Sequence, residues 1–177
     1  MSAVAVRTAT PGDAAQIAEI YNYYIANTVI TFEEEPLTAG DMATRLADIQ
    51  RQGLPWLVAE LDGSVVGYSY ANQWKTRSAY RHSVETTVYL RNGFDGRGIG
   101  KTLYSALLPV LREQKIHAVI GGAALPNPAS VALHEALGFE QDISPGRFQA
   151  WPLGRRRLLA AHSPRDLKSG ECAALVV

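Results

Sequence analysis

A glycine-rich segment between a predicted strand and a predicted helix most constrains what this chain can fold into. Residues 95–104 read DGRGIGKTLY and follow the apolar run 84–90, which is typical of a strand. A glycine-rich turn at this place directs consecutive backbone N–H groups, and the positive end of the following helix, toward one point. The segment therefore predicts a binding site for a phosphorylated ligand.

The spacing of the glycines argues against the two common nucleotide-binding loops. A Walker loop requires a glycine where this chain, counted back from Gly100, has Asp95. A dinucleotide fingerprint requires G-x-G-x-x-G, whereas Gly96, Gly98 and Gly100 give G-x-G-x-G. Each pattern fails by one residue, so a P-loop nucleotide hydrolase is the least favoured function.

Composition favours a small-molecule partner. The 177 residues include 17 basic and 17 acidic side chains, so the chain lacks the charge excess of proteins that bind nucleic acid or anionic membranes. No apolar run approaches the length of a membrane span, and residues 1–10 lack the features of a secretion signal. We expect a cytoplasmic protein with neither a nucleic-acid nor a membrane partner.

The cysteine and histidine content predicts neither a disulfide nor a metal site. Cys172 is the only cysteine, which fits a reducing compartment. The histidines lack the spacing of metal ligands. They are His82, His117, His134 and His162.

Hydrophobic periodicity and turn residues predict a mixed α/β fold. Asp62 and Gly63 favour a type I′ turn that joins two strands into a hairpin, and Pro109 is expected to bend or shorten the third helix. Strands are predicted at residues 3–7, 56–61, 65–70, 84–90 and 118–123, and helices near 14–25, 38–52, 100–111 and 128–137.

Further segments resemble the GNAT N-acetyltransferase family. Residues 127–130 read NPAS and residues 133–139 read LHEALGF, and both follow the strand, glycine loop and helix in the family's order. Residues 74–80, WKTRSAY, and 84–90, VETTVYL, resemble the phosphinothricin and methionine sulfoximine acetyltransferases within that family. The resemblance implies a mixed, mostly antiparallel central sheet flanked by helices, and a homodimer.

The resemblance implies acetyl-CoA as cosubstrate. Its pyrophosphate would bind the backbone N–H groups of the glycine loop, and the Val88 N–H would polarise the thioester carbonyl. Asp95 departs from the family, which places Gln or Arg there, and a carboxylate weakens pyrophosphate binding unless it points to solvent. The implied cofactor-binding residues are Val88, Tyr89, Leu90, Gly96, Arg97, Gly98, Ile99, Gly100, Lys101, Asn127 and Ser130.

Glu85 and His134 are the predicted catalytic residues. An amine must lose a proton before it attacks a thioester, and Glu85 lies in an otherwise apolar strand at the position of the family's catalytic glutamate. The alternative is a solvent-facing glutamate on an alternating strand. His134 occupies the position where many relatives place a tyrosine as the acid for the leaving thiolate. The alternative is a partly buried structural histidine.

Lys75, Arg77 and Tyr80 form a predicted substrate-binding cluster. A guanidinium can bind a carboxylate or phosphinate through two parallel hydrogen bonds, which suits an amino-acid substrate with two acidic ends. The alternative is a solvated surface loop. Phe32, Glu33 and Glu34 are predicted to line the mouth of the substrate site.

The resemblance implies transfer of acetyl from acetyl-CoA to the α-amine of a small amino acid, or of an analogue such as phosphinothricin, methionine sulfoximine or methionine sulfone. Direct attack in a ternary complex is expected, because the only thiol, Cys172, lies outside the matching region. A non-catalytic acyl-CoA-binding module is the alternative.

The resemblance ends after Phe139. We expect a single acetyltransferase domain over residues 1–140 and an atypical tail over residues 141–177. Relatives continue with two more strands, whereas residues 158–177 show no strand alternation. A shifted reading frame, divergence or an appended segment would each produce this loss of pattern. Loss of strands that complete the sheet predicts reduced stability or an inactive dimer.

Overall fold

The computed structural model describes residues 3–28, 30–31, 33–122, 127–142, 148–153 and 172–176. The chain divides into two compact units that interleave along the sequence. The first unit comprises Met1–Ala71 and Val88–Val110, and the second comprises Asn72–Thr87 and Leu111–Val177. The predicted domain bounds, 1–140 and 141–177, stay a prediction.

The strands and helices up to residue 136 follow the predicted order, and three strands that the sequence did not predict come after them. In the described residues the strands are β1 Ala5–Thr8, β2 Trp56–Leu61, β3 Ser64–Gln73, β4 Ser83–Leu90, β5 Ala118–Gly121, β6 Glu140–Asp142, β7 Phe148–Leu153 and β8 Cys172–Val176. The α-helices are α1 Ala14–Asn27, α2 Ala39–Arg51, α3 Ile99–Glu113 and α4 Pro128–Ala136. Pro109 lies inside α3 and does not end it, since the helix continues to Glu113.

The first unit contains an antiparallel meander of β1, β2 and β3. Asp62 and Gly63 join β2 to β3 with φ angles of 50° and 78°. Two consecutive positive φ angles define the type I′ turn, whose twist matches the strands that it connects, so the predicted hairpin is confirmed.

Helices α1 and α2 cover the core of the first unit. The Thr38 hydroxyl accepts a hydrogen bond from the Asp41 N–H at 3.1 Å, and the Asp41 carboxylate accepts one from the Thr38 N–H at 2.9 Å, which together cap the start of α2. Buried side chains from both helices and two strands form one cluster, whose largest members include Ile17, Met42, Leu46, Trp56 and Tyr68.

The second unit combines parallel and antiparallel pairing. The first half of β4 runs parallel to β5, with Ser83 opposite Ala118 and Thr86 opposite Gly121. Strand β7 pairs antiparallel with β5, β6 and β8. The prediction of a mixed, mostly antiparallel sheet flanked by helices is confirmed.

Strand β8 corrects the expectation for the tail. Residues 158–177 show no alternation, yet residues 172–176 form a strand that pairs antiparallel with β7 and meets β5 at Ala118 opposite Ala173. The segment reads CAALV, and a short run of small apolar residues carries no period of two. Alternation therefore could not reveal this strand.

Candidate active site

The end of β4 lies in the first unit inside a cluster of tyrosines. The Tyr89 ring has its centroid 5.2 Å from that of Tyr21, 5.0 Å from that of Tyr24 and 5.7 Å from that of Tyr68. The Tyr24 hydroxyl donates a hydrogen bond to the Leu90 carbonyl oxygen at 2.7 Å. The strand end that sequence analysis assigned to the acetyl-CoA arm is thus fixed by aromatic packing and by one side-chain hydrogen bond.

The same strand end requires a glycine on the neighbouring strand. A Cβ atom at Gly67 would lie 2.6 Å from Leu90 Cδ2 and 3.1 Å from the Tyr89 carbonyl oxygen. The Arg91 N–H donates to the Val66 carbonyl at 2.9 Å, which holds β3 and β4 together at this point. A side chain at position 67 would therefore displace the end of β4.

The glycine loop has the backbone of an anion-binding nest. Gly96 and Gly98 adopt φ angles of 71° and 77°, and Arg97 between them has no positive φ. Such alternation turns successive N–H groups toward one point, and α3 begins directly after it at Ile99. The loop and the helix N-terminus can therefore hold a phosphate through main-chain donors.

Two charged residues of the loop, Asp95 and Arg97, are exposed, so the Asp95 carboxylate is solvated. The Arg97 guanidinium lies 4.7 Å from the centroid of the Phe94 ring in a cation–π contact. Asp95, the residue that departs from the family pattern, therefore carries a charge that solvent screens.

Glu85 lies half-buried in the second unit, on the part of β4 that pairs with β5. Its register partner is Ile120, and burial alone raises the pKa of its carboxyl. The neighbouring Thr86 hydroxyl is buried and donates to the Ile120 carbonyl at 3.1 Å, which ties the two strands together beside Glu85. A carboxylate with a raised pKa is a stronger base than an exposed glutamate.

His134 is 1% exposed on α4. Its Nδ1 lies 2.7 Å from the Ser130 carbonyl oxygen, so Nδ1 carries a proton and donates it to that oxygen. The ring packs edge-on against Phe139 at 4.9 Å, and burial lowers the pKa of the imidazole. This environment matches the structural alternative stated for His134, and its acid role stays a prediction.

Asn127 caps α4. Its Oδ1 accepts a hydrogen bond from the Ser130 N–H at 3.1 Å. Asn127, which precedes Pro128, therefore acts as the N-cap of α4. Its hydrogen bond to a cofactor arm stays a prediction.

Two of the three predicted substrate-binding residues of the second unit come together. Lys75 Nζ lies 5.5 Å from the Trp74 ring centroid and 5.2 Å from the Tyr80 ring centroid. Arg77 is exposed and precedes the short helix Ser78–Tyr80. Phe32, the fourth residue assigned to substrate, lies outside the described residues.

The turn around the predicted substrate mouth is tied to both helices of the first unit. The Tyr21 hydroxyl and the Thr31 hydroxyl are 2.9 Å apart. The Glu33 carboxylate forms an ion pair with Arg45 at 2.8 Å, and the Arg45 guanidinium lies 5.9 Å from the Tyr21 ring centroid. Sequence analysis assigned Glu33 to this mouth without finding its partner.

The tyrosine hydroxyls are the site feature that sequence reasoning missed. Hydrophobic periodicity places Tyr21 and Tyr24 on one face of α1, which gives no information about their hydroxyls. The chain has eight tyrosines and four phenylalanines, and a buried tyrosine hydroxyl ordinarily finds a hydrogen-bond partner. The excess of tyrosine over phenylalanine is the sequence signal that could have indicated hydrogen-bonding hydroxyls in the site.

Among the described residues, no group of three or more His, Cys, Asp or Glu side chains could hold a metal ion. Within the same residues, no helix is both long enough and apolar enough to cross a membrane.

The chain belongs to the GNAT acetyltransferase family, because the family's acetyltransferase (GNAT) domain model matches residues 6–143. It is 42% identical over 136 residues to the phosphinothricin N-acetyltransferase of Streptomyces viridochromogenes, an alignment that covers 77% of this chain and 74% of that protein. It is 38% identical over 139 residues to the L-methionine sulfoximine/L-methionine sulfone acetyltransferase of Pseudomonas aeruginosa, covering 76% of this chain and 79% of that protein.

A solved structure supports both the fold and the cosubstrate. The GNAT superfamily phosphinothricin acetyltransferase of Sinorhizobium meliloti, crystallised in complex with acetyl-CoA, superposes with a TM-score of 0.76 at 38% sequence identity. The match covers 78% of this chain and 76% of that one. This chain is therefore an N-acetyltransferase that resembles acetyl-CoA-dependent enzymes of the phosphinothricin and methionine sulfoximine type.

Proposed function

We propose that this protein transfers the acetyl group of acetyl-CoA to the α-amine of a small amino acid or of an analogue such as phosphinothricin, methionine sulfoximine or methionine sulfone. The observation that carries the proposal is Glu85, a half-buried carboxylate whose pKa is raised by burial, on a strand that ends at the nest-forming glycine loop. Relatives named for these substrates support the substrate class.

Glu85 acts as the general base in the proposed reaction. It takes a proton from the ammonium group of the substrate, and the neutral amine attacks the thioester carbonyl carbon. The bond between that carbon and sulfur then breaks, the attacking nitrogen loses a second proton, CoA leaves as a thiolate that takes up one proton, and the amide remains. Val88, on the same strand as Glu85, offers its backbone N–H to the oxyanion.

The cosubstrate is held mainly by backbone groups in this proposal. The pyrophosphate binds the N–H groups of residues 96–101, and the pantetheine arm binds the main chain of residues 88–90. Asn127 and Ser130 contact the arm from the start of α4. The alternating glycines of the loop and the fixed strand end support this assignment.

Lys75, Arg77 and Tyr80 recognise the acidic groups of the substrate in the same proposal. Lys75 contacts two aromatic rings, which limits its motion and lowers the entropy lost when it binds an anion. The exposed guanidinium of Arg77 is open to a carboxylate or phosphinate. Phe32 is proposed to line the mouth of the substrate site.

His134 is the less supported of the two proposed catalytic residues. The proton on Nδ1 is directed at the Ser130 carbonyl, so only Nε2 could donate to a thiolate, and burial disfavours the imidazolium. His134→Gln separates the two roles. A large fall in kcat with an unchanged Tm supports the acid, and a fall in Tm with little change in kcat supports the structural role.

The homodimer and the cytoplasmic location are proposals from the family resemblance and from composition. Light scattering on the purified protein tests the first, with a mass of twice the 19.2 kDa chain as the expected result.

Release of free CoA tests the proposed function. Phosphinothricin, methionine sulfoximine, methionine sulfone and the common amino acids are each supplied with acetyl-CoA, with Glu85→Gln as the matched variant. Amine-dependent release that falls at least about a hundredfold in Glu85→Gln supports an enzyme with a general base. Binding of acetyl-CoA without amine-dependent release supports the non-catalytic binding module instead.

A further inference from the structure

We propose that Tyr24 is a positioning residue for the acetyl-CoA arm, because its hydroxyl fixes the Leu90 carbonyl at the edge of β4. The inference rests on the proposed function, in which residues 88–90 bind the pantetheine part of the cosubstrate.

The backbone of β4 shows which way the Leu90 carbonyl points. The Arg91 N–H donates to Val66 on β3. Main-chain groups of neighbouring residues in a strand point to opposite sides, so the polar groups of Leu90 and Val88 point away from β3. They belong to the edge that would bind the cosubstrate.

Tyr24 reaches this edge with its hydroxyl. The oxygen lies 2.7 Å from the Leu90 carbonyl oxygen, and the centroid of the Tyr24 ring lies 5.0 Å from that of the Tyr89 ring. Burial is the main cause that raises the pKa of Tyr24, so the group stays an O–H donor throughout the working pH range. A carbonyl has two lone pairs, and Tyr24 uses one of them. The second stays available to an amide N–H of the pantetheine arm.

The ring and the hydroxyl of Tyr24 therefore have separable effects. The ring packs against Tyr89 and contributes to the folded state. The hydroxyl sets the orientation of one acceptor on the cosubstrate edge. Replacement by phenylalanine keeps the packing and removes the acceptor's fixed orientation.

Binding calorimetry with two ligands tests the inference. CoA contains pantetheine, whereas 3′-phosphoadenosine 5′-diphosphate is its nucleotide half and lacks that arm. Tyr24→Phe is expected to weaken CoA about fivefold, the effect of one net hydrogen bond, and to leave the nucleotide half unchanged. The KM for the amine is expected to stay unchanged as well.

Tyr23→Phe is the matched control, since Tyr23 is the neighbouring tyrosine and is 37% exposed. It is expected to bind both ligands as the unaltered protein does. Equal CoA affinity in Tyr24→Phe and the unaltered protein overturns the inference, and so does an equal loss for both ligands, which marks a purely structural role. If the unaltered protein binds neither CoA nor acetyl-CoA, the proposed function fails as well.

Discussion

Gly67→Ala is the change whose cost follows most directly from the packing at the end of β4. The new Cβ would lie 2.6 Å from Leu90 Cδ2 and 3.1 Å from the Tyr89 carbonyl oxygen. The Leu90 methyl can rotate away, but the carbonyl belongs to the backbone, so β4 itself must shift by a few tenths of an ångström. This is the strand end that we assign to acetyl-CoA.

The expected magnitude combines two opposing effects. Overpacking against a backbone atom lies in the upper part of the usual range, about 2–3 kcal/mol, and replacement of a strand glycine by alanine returns about 0.5–1 kcal/mol of backbone entropy. The net loss of unfolding free energy is about 1–2.5 kcal/mol, which lowers the Tm by about 2–10 °C for a chain of this size. The affinity for acetyl-CoA is expected to fall in parallel, because the Tyr89 and Leu90 main chain moves.

Thermal unfolding and acetyl-CoA titration measure the two effects separately. Gly40→Ala is the matched control in the same unit, because its Cβ would meet only the Thr38 hydroxyl at an ordinary 3.6 Å. That control is expected to leave cosubstrate affinity unchanged and to raise stability by about 0.5 kcal/mol. A Gly67→Ala protein as stable as the unaltered one refutes the packing argument. A destabilised variant with unaltered acetyl-CoA affinity refutes the assignment of this edge to the cosubstrate.

Three further predictions follow from charges. Because Asp95 is exposed, Asp95→Gln is expected to tighten acetyl-CoA by no more than about twofold in a titration, and a tenfold gain would show that the carboxylate faces the pyrophosphate. Burial lowers the pKa of His117 below its usual 6.5, and the nearby His82 and Arg81 lower it further. The stability that the neutral His117 imidazole contributes is therefore present above pH 6.5 and is lost as pH falls through the lower folded pKa. His117→Gln should flatten that acid limb in denaturation curves, and an unchanged limb contradicts this. Asp13→Asn breaks the ion pair between Asp13 and Arg7 at 2.8 Å, in which Asp13 is 5% exposed and the Arg7 side chain is 40% exposed. Because Arg7 keeps its ion pair with Glu60 at 2.7 Å, the expected cost in urea unfolding is about 1–2 kcal/mol, and a loss below about 0.5 kcal/mol would contradict a stabilising pair.

Local signals predicted the parts of the fold that depend on neighbouring residues. Asp62 and Gly63 define their turn whatever surrounds them, and Thr38 caps its helix through Asp41 three residues later. The glycine loop likewise has the positive φ angles that its composition favours. Such features are encoded within a few residues and can be inferred without tertiary structure.

Contacts between distant segments could not be predicted in the same way. Tyr24 and Leu90 are 66 residues apart, and their hydrogen bond exists only because the fold brings α1 to the end of β4. The hydrophobic periodicity of α1 predicts an apolar helix face, which is correct for the Tyr24 ring but gives no information about its hydroxyl. Strand β8 was missed for a different reason, since its small apolar residues carry no alternation.

For His134, the family resemblance and the local environment indicate different roles. The resemblance implies an acid at this position. The structure gives a buried imidazole that donates from Nδ1 to the Ser130 carbonyl, with a pKa lowered by burial. Sequence alone left both interpretations open, because burial and tautomer depend on packing against Phe139.

The pH dependence of amine acetylation tests the central claim about Glu85 most directly. Burial raises its pKa above the usual 4.5, and only the deprotonated carboxylate can accept the proton of the amine. The kcat/KM of the unaltered protein should therefore fall as pH drops through that raised pKa. Glu85→Gln should abolish this limb and most of the activity, while Glu113→Gln, a change at the exposed end of α3, should keep both. The same acid limb in Glu85→Gln, with activity near that of the unaltered protein, would contradict the account.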